Sequence, residues 1–181
     1  MNALLSALRE LETVALALDD AEVEAACRTI AAAGRIVAYG CGREGLMLRA
    51  FVMRLHHLGL DVAMQGDMAA PPLGQGDLFL CSAGPGELST VTALTGVARR
   101  DGARVLMITA EPEKPSPLAA DQLLVIPAQT MARDLGGAST LPMGSLFEGA
   151  MFLVFQVIVL RLAVILGQTP EALRASHTNM E

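Results

Sequence analysis

The chain has 181 residues, of which 52% are hydrophobic and 3% aromatic, and its formal net charge is −6. This length predicts a single domain, residues 1–181, with a core large enough to be stable alone. One lysine, Lys114, with no basic stripe and no zinc-ligand spacing, argues against nucleic-acid binding. Three cysteines without a CxxC spacing indicate reduced thiols and a cytoplasmic location.

Leucines at helical spacing predict an amphipathic helix over residues 2–18, and its internal charges argue against a signal peptide. A second helix is expected over 19–33. The apolar run 146–166 has its longest uncharged piece at 149–160, whereas a membrane span needs roughly 20 predominantly apolar residues. We therefore expect a buried core or interface helix there, with a membrane span as the alternative.

Between these helices, short apolar strands alternate with helical segments. The strands are expected at 35–39, 61–65, 77–82, 103–109 and 122–127. Helices follow the first strand, to about residue 58, and the third, to about residue 100. Because each strand is a continuous apolar run, the pattern predicts a parallel sheet covered on both faces. We divide the chain into N-terminal helices (1–33), a parallel α/β core (34–127), a long functional loop (128–145) and C-terminal helices with a polar tail (146–181).

Two glycine-rich turns follow strands of this predicted sheet. "GCGREG", residues 40–45, has the G-x-G-x-x-G spacing of a dinucleotide-binding turn, but Asp61, at the spacing of a ribose-binding acid, stands at the start of the second strand rather than at its end. The alternatives are a tight strand-to-helix turn or a small-anion or sugar site. "AGPGE", residues 83–87, lies in the same setting after the third strand. Two such turns at one edge of a parallel sheet predict a binding site.

Four segments together resemble the sugar isomerase (SIS) family, and more narrowly the 6-phospho-3-hexuloisomerases. They are "GCGREGLMLRAFVMRLHHLG" (40–59), "GDLFLCSAGPGE" (76–87), "LPMGSLFE" (141–148) and "RASHTNME" (174–181). The resemblance implies a three-layer αβα sandwich with a five-stranded parallel sheet, two N-terminal helices and a long C-terminal interface helix. It also implies a homodimer or homotetramer that isomerises a sugar or sugar phosphate through a cis-enediol, without metal or cofactor.

The resemblance implies roles for three residues. Glu148 would be the base that moves the proton, His177 would assist ring opening or shuttle protons, and Arg43 would face the ligand or its developing oxyanion. The structural alternatives are that Glu148 stabilises its own helix N-terminus and that His177 is a solvated tail residue. His56 and His57 are expected to pack or lie on the surface. Cys41, at a helix start, is expected to pack rather than react.

The substrate-binding set implied by the family lies on the two turns. It comprises Gly42, Arg43, Glu44, Ser82, Gly84, Gly86, Glu87 and Ser89. The family's phosphate loop reads Ser-x-Ser-Gly-Glu-Thr, but the hydroxyl positions here are Ala83, Pro85 and Leu88. Glu44 replaces a serine in the first turn, and "MAA" (68–70) replaces threonines after the second strand.

These seven losses predict weakened phosphate binding, since each hydrogen bond to a charged group is worth roughly 1.5–3 kcal/mol. Glu44 in the first turn of a helix would also repel a dianion. The Gly84 and Gly86 amides are expected to remain as anion donors. The first hypothesis is an isomerase whose substrate differs at the phosphate end. The alternatives are a non-catalytic SIS module that binds a metabolite or partner, and a dinucleotide-binding domain.

Overall fold

In the computed structural model, which describes residues 2–134, 139–175 and 179, five strands form one parallel sheet. The strands are β1 (Ile36–Tyr39), β2 (Val62–Met64), β3 (Leu78–Ser82), β4 (Arg104–Thr109) and β5 (Gln122–Val125). Their order across the sheet is β2-β1-β3-β4-β5, and every neighbouring pair is parallel. The predicted strands all appear, each shorter than its apolar run by one or two residues.

Seven helices lie in the described residues. They are α1 (Ala3–Ala17), α2 (Asp20–Ala32), α3 (Gly42–His57), α4 (Ser89–Arg100), α5 (Pro115–Leu118), α6 (Ser145–Ile165) and α7 (Pro170–Ala175). The predicted cap of α7 is present, because the Thr169 hydroxyl accepts a hydrogen bond from the Ala172 N–H. Sequence reading missed α5, which begins at a proline, and a 3-10 turn (Met131–Arg133) inside the long loop.

The central strand β3 shows why the sheet needs helices on both faces. All five of its residues are buried, and they alternate between two apolar cores. Leu78 and Leu80 join the core under α2, α3 and α6, whereas Phe79 and Cys81 join the core under α4. A strand buried on both faces reads as a continuous apolar run. The three-layer α/β fold expected from the sequence is therefore confirmed.

Helix α6 forms the centre of the larger core. It contacts α1, α2 and α3, and Phe155 stacks on Phe51 of α3 with ring centroids 4.2 Å apart. Among the described residues, α6 is the one helix long and apolar enough to cross a membrane by length and composition. Because its buried side chains complete the core of the sheet, we interpret it as a core helix rather than a membrane span.

The strand order places the two glycine-rich turns next to each other. The chain passes from β1 to β2 on one side of β1, and β3 then returns to the other side. In open parallel sheets, ligands bind at the carboxyl ends of the strands where this reversal occurs. Since Tyr39, the last residue of β1, pairs in register with Cys81 of β3, the turns after β1 and β3 flank one crevice.

Candidate active site

The turn after β1 holds the start of α3 tightly against the sheet. A Cβ on Gly45 would lie 2.3 Å from the Gly40 carbonyl oxygen, and one on Gly40 would lie 2.8 Å from Ser82 Oγ. Gly42 begins α3 with a φ of +54°. These contacts support the tight-turn interpretation of the G-x-G-x-x-G spacing. Asp61 lies at the opposite edge of the sheet, where it pairs with Arg35 at 2.9 Å.

Arg43 joins the first turn of α3 to the start of α6. Its Nε lies 3.0 Å from Glu148 Oε2, and its Nη1 donates to Ser145 Oγ at 2.8 Å. Its Nη2 donates to the Met143 carbonyl. Met143 and Gly144 both have positive φ, 54° and 83°, which turns the chain into α6 directly below this arginine. The predicted base and the predicted oxyanion-facing residue are thus in direct contact.

The environment of Glu148 suits a general base. Its side chain is 16% exposed, so it opens onto the crevice. Burial raises the pKa of the Glu148 carboxyl, the Arg43 guanidinium lowers it, and the negative charge of Glu44 raises it again. A carboxylate whose pKa is raised takes a proton more readily than an exposed one, which is the property a general base needs.

Glu44 crosses the crevice to the second turn. Its Oε2 accepts a hydrogen bond from the Gly84 N–H at 3.0 Å. Sequence reading had expected the Gly84 and Gly86 amides to remain as anion donors, and in this structure both amides already have acceptors within the protein. The Gly84 amide is held by Glu44, and the Gly86 amide donates to the Ala83 carbonyl at 2.8 Å in a turn where Gly86 has a φ of +84°.

The Glu44 carboxyl is almost enclosed, with the residue 8% exposed. Burial raises its pKa, and the hydrogen bond from the Gly84 amide opposes that change. The neighbouring Ser82 is fully buried, and its Oγ has no hydrogen-bond partner among the described residues. The hydroxyl lies beneath the two turns, in the floor of the crevice, rather than at its surface.

The other proposed substrate-binding residues lie around the mouth of the crevice. Gly42 is exposed at the start of α3, and Glu87 and Ser89 are exposed at the start of α4. His177 lies outside the described residues. His57 is buried at the far end of α3, about 22 Å along the helix from Gly42. It therefore lies away from Arg43 and Glu148.

Comparisons with known proteins identify the family of the chain. No family model matches the chain. A 3-hexulose-6-phosphate isomerase of Mycobacterium gastri is 35% identical over 172 residues, which cover 95% of this chain and 86% of the relative. One of Bacillus subtilis is 31% identical over 175 residues, covering 96% and 95%. The chain belongs to the 3-hexulose-6-phosphate isomerase family.

The fold of this isomerase matches that family's wider architecture, as expected from the SIS resemblance. It superposes over its whole length on a Methanococcus jannaschii protein with a TM-score of 0.86 at 20% identity, and the crystal structure of that protein was used to infer a 3-hexulose-6-phosphate isomerase function for it. At this identity the likeness establishes the fold. The two curated relatives establish the class of the chain, a sugar isomerase.

Sequence reading missed several residues that shape the site of this isomerase. The Phe147 ring would lie 2.7 Å from a Cβ on Gly84, so it forms part of the crevice wall. Ser116 Oγ, on α5, accepts a hydrogen bond at 3.2 Å from the N–H of Leu88, the residue before α4. Phe147 was visible in "GSLFE", but nothing in the proline-rich sequence around Ser116 marks it as a partner for a residue 28 positions earlier.

A large groove also lies at the opposite edge of the sheet. Its volume is about 620 Å³, and it is lined by α2 and by the first residues of β3, β4 and β5. Neither Arg43 nor Glu148 lines it. Since ligands of open parallel sheets bind at the carboxyl ends of the strands, we place the chemistry in the β1–β3 crevice.

Proposed function

We propose that this protein interconverts the aldose and ketose forms, or two ketose forms, of a sugar or sugar phosphate through a cis-enediol. The contact between Arg43 and Glu148, 3.0 Å from Nε to Oε2 at the mouth of the crevice, carries this proposal. The carboxylate supplies a base, and the guanidinium supplies a positive charge for an oxygen that becomes negative during proton removal.

In the proposed reaction, the substrate carbonyl oxygen lies beside Arg43. Glu148 removes the proton from the carbon next to the carbonyl, and the bonding electrons form the C=C bond of the enediol. A proton moves from the hydroxyl oxygen of the first carbon to the oxygen of the former carbonyl. Glu148 then returns its proton to the former carbonyl carbon. The proton count is unchanged, and no group leaves. His177 opens the ring or carries the proton between oxygens, as the family resemblance implies.

We further propose that the substrate differs from that of the curated relatives at the phosphate end. Ala83, Pro85 and Leu88 place no hydroxyl at the family's three phosphate-binding positions. The Gly84 and Gly86 amides are also engaged within the protein. A phosphate at this loop would therefore lose both kinds of donor that hold it elsewhere in the family.

Self-association is proposed from the exposed apolar surface. Large apolar side chains of α6 and α1 face outward; they include Phe152, Leu153, Val157, Leu160 and Val164 of α6 and Leu4, Leu5 and Leu8 of α1. Contiguous surfaces of this kind mark interaction sites, and a homodimer or homotetramer would cover this one.

Light scattering after gel filtration should give a molar mass that is a multiple of the chain mass. Leu160→Glu, which places a charge on this surface, should lower the measured mass. A monomeric wild type would contradict this part of the proposal.

The isomerase proposal is tested by solvent exchange and turnover together. Purified wild type is incubated in D2O with 3-hexulose 6-phosphate, fructose 6-phosphate and the free sugars, and NMR follows deuterium entering the carbon next to the carbonyl. We expect exchange and turnover with at least one sugar. Glu148→Gln should lower both about 10³-fold, whereas Glu113→Gln, which removes an exposed carboxylate of the β4–α5 connection, should retain both.

Two results would overturn the proposal. Exchange that persists in Glu148→Gln would show that another group is the base. Binding of a sugar without exchange or turnover would instead favour the non-catalytic metabolite-binding module.

A further inference from the structure

Glu44 is a buried carboxylate that the proposed reaction does not use. It is 8% exposed, and its neighbours are the Gly84 N–H on the second turn and the fully buried Ser82 hydroxyl at the end of β3. Burying a charge is costly unless it is hydrogen-bonded or paired. Glu44 receives one charge-assisted bond from the loop that holds phosphate in the family.

The protein is built to accommodate this carboxylate at contact distance. A Cβ on Gly84 would lie 2.8 Å from Glu44 Oε1 and 2.7 Å from Phe147 Cε1. The close approach of Gly40 and Gly45 fixes the start of α3, and with it the Glu44 backbone, against β1. Glu44 is therefore held between two rigid turns, with α6 closing the third side.

The loop has few donors left for an incoming anion. The Ala83, Gly84, Gly86 and Leu88 amides donate to Ile108 O, Glu44 Oε2, Ala83 O and Ser116 Oγ respectively. Pro85 has no N–H. In the described loop, the Glu87 amide and the first-turn amides of α4 remain. An anion approaching them enters a crevice that holds two carboxylates, Glu44 and Glu148, and one guanidinium, Arg43, while Lys114 packs against Gly86 of the loop.

We propose that the Glu44 carboxylate is a built-in substitute for a substrate phosphate, so that the sugar end meeting the β3–α4 loop is uncharged and bears hydroxyl groups. This inference rests on the proposed isomerase function and names the class of its substrate, an unphosphorylated hydroxy-carbonyl sugar. A sugar hydroxyl donates to a carboxylate, whereas a phosphate dianion is repelled by it. Glu44 is thus a specificity-determining residue.

The test measures anion binding directly, so it does not depend on catalysis. Calorimetric titrations compare sulfate, fructose 6-phosphate and fructose on wild type, Glu44→Gln and Glu44→Ser at pH 7.5. Glu44→Gln keeps the shape and an acceptor for the Gly84 N–H, and Glu44→Ser introduces a hydroxyl. Glu113→Gln removes an exposed charge of the β4–α5 connection and controls for the general field of the protein.

We expect wild type to bind fructose 6-phosphate no more tightly than fructose. Both Glu44 variants should gain about tenfold or more in affinity for sulfate and for fructose 6-phosphate, because one close like charge is removed. The Glu113→Gln control should gain much less. Wild type that prefers fructose 6-phosphate to fructose by tenfold, or a control that gains as much as the Glu44 variants, would overturn the inference.

A titration of the wild type alone covers the case in which both variants fail to fold. Glu148 on α6 interacts electrostatically with Glu44, and Arg43 pairs with Glu148. The strand β3 and its loop present Ser82 and Gly84 to Glu44, and Lys114 packs against Gly86 of the same loop. Sulfate keeps its two charges between pH 7.5 and 5. Its affinity should therefore rise as the carboxyls take up protons, and a constant affinity would contradict the inference.

A failed isomerase proposal would look different. Absence of exchange and turnover with every sugar, together with improved sulfate binding in Glu44→Gln, would contradict the isomerase proposal. The role of Glu44 as an anion-excluding group would still be supported. Turnover that is lost in Glu148→Gln, together with tight sulfate binding in wild type, would support the isomerase proposal. The same result would contradict the proposed role of Glu44.

Discussion

The crevice contains two glutamates with the same functional group and different neighbours. Glu148 has a side chain that is 16% exposed and pairs with a guanidinium, 3.0 Å from Arg43 Nε. Glu44 is 8% exposed and pairs with a backbone amide, 3.0 Å from the Gly84 nitrogen. Burial raises the pKa of both carboxyls. The difference shows that a raised pKa alone does not assign a base, because a base also needs access to the substrate and a partner for the developing charge.

The largest expected effect separates the two glutamates by turnover. Glu148→Gln should lower kcat about 10³-fold, since removing a general base typically costs a factor of about 10²–10⁴. The decrease in Glu44→Gln should be at least tenfold smaller, because Glu44 is proposed to select the substrate rather than move its proton. Steady-state kinetics on the best substrate from the sugar panel measures both. Equal decreases in kcat in the two variants would contradict the proposal that Glu148 is the base and Glu44 determines substrate specificity.

The next effect tests the packing that holds Glu44 in place. Gly84→Ala should destabilise the protein by about 2 kcal/mol, because the added methyl would press on the Phe147 ring and on Glu44 Oε1. Gly96→Ala is the matched control: Gly96 lies inside α4, and its added methyl meets open space. That variant should gain about 0.5–1 kcal/mol, as alanine is the better helix former. Urea unfolding measures the free energy of unfolding of both variants. A Gly84→Ala variant as stable as wild type would show that the crevice wall accommodates the added methyl group.

A smaller effect sharpens the role of the guanidinium. Arg43 lowers the pKa of Glu148, so Arg43→Met should raise that pKa further. Because the base acts when deprotonated, the acid limb of the kcat/KM profile should move to higher pH. Arg43→Lys, which keeps the charge, should move it less. An unchanged acid limb in Arg43→Met would mean that Glu148 is not the group seen in the profile.

The smallest effect concerns stability and Glu44. Its pKa in the folded protein is raised by burial, so its contribution to stability is fully present below the pKa of the unfolded chain. That contribution is lost as pH rises through the raised folded value. Glu44→Gln should therefore gain in Tm relative to wild type as pH rises from the pKa of the unfolded chain through the raised folded value. A Tm difference that shrinks over this range would show that Glu44 is stabilised as an anion.

The layout of the fold could be read from the sequence because it rests on local patterns. Continuous apolar runs located the strands, and the Thr169–Pro170 pair located the start of α7. The 3-10 turn and α5 escaped prediction because each is one turn long and carries no apolar period. The segments that resemble the family identified Arg43 and Glu148 as candidate site residues, and the structure places their side chains in contact.

The sequence by itself determined that a carboxylate stands at residue 44, in the first turn of a helix, and that the second turn lacks the family's hydroxyls. It did not determine where that carboxylate points. Only the pairing of β1 with β3, which sets the two turns side by side, allows Glu44 to reach an amide 40 residues away. Hydrogen-bond partners of this kind depend on distances between separate elements, and local sequence patterns contain no information about those distances.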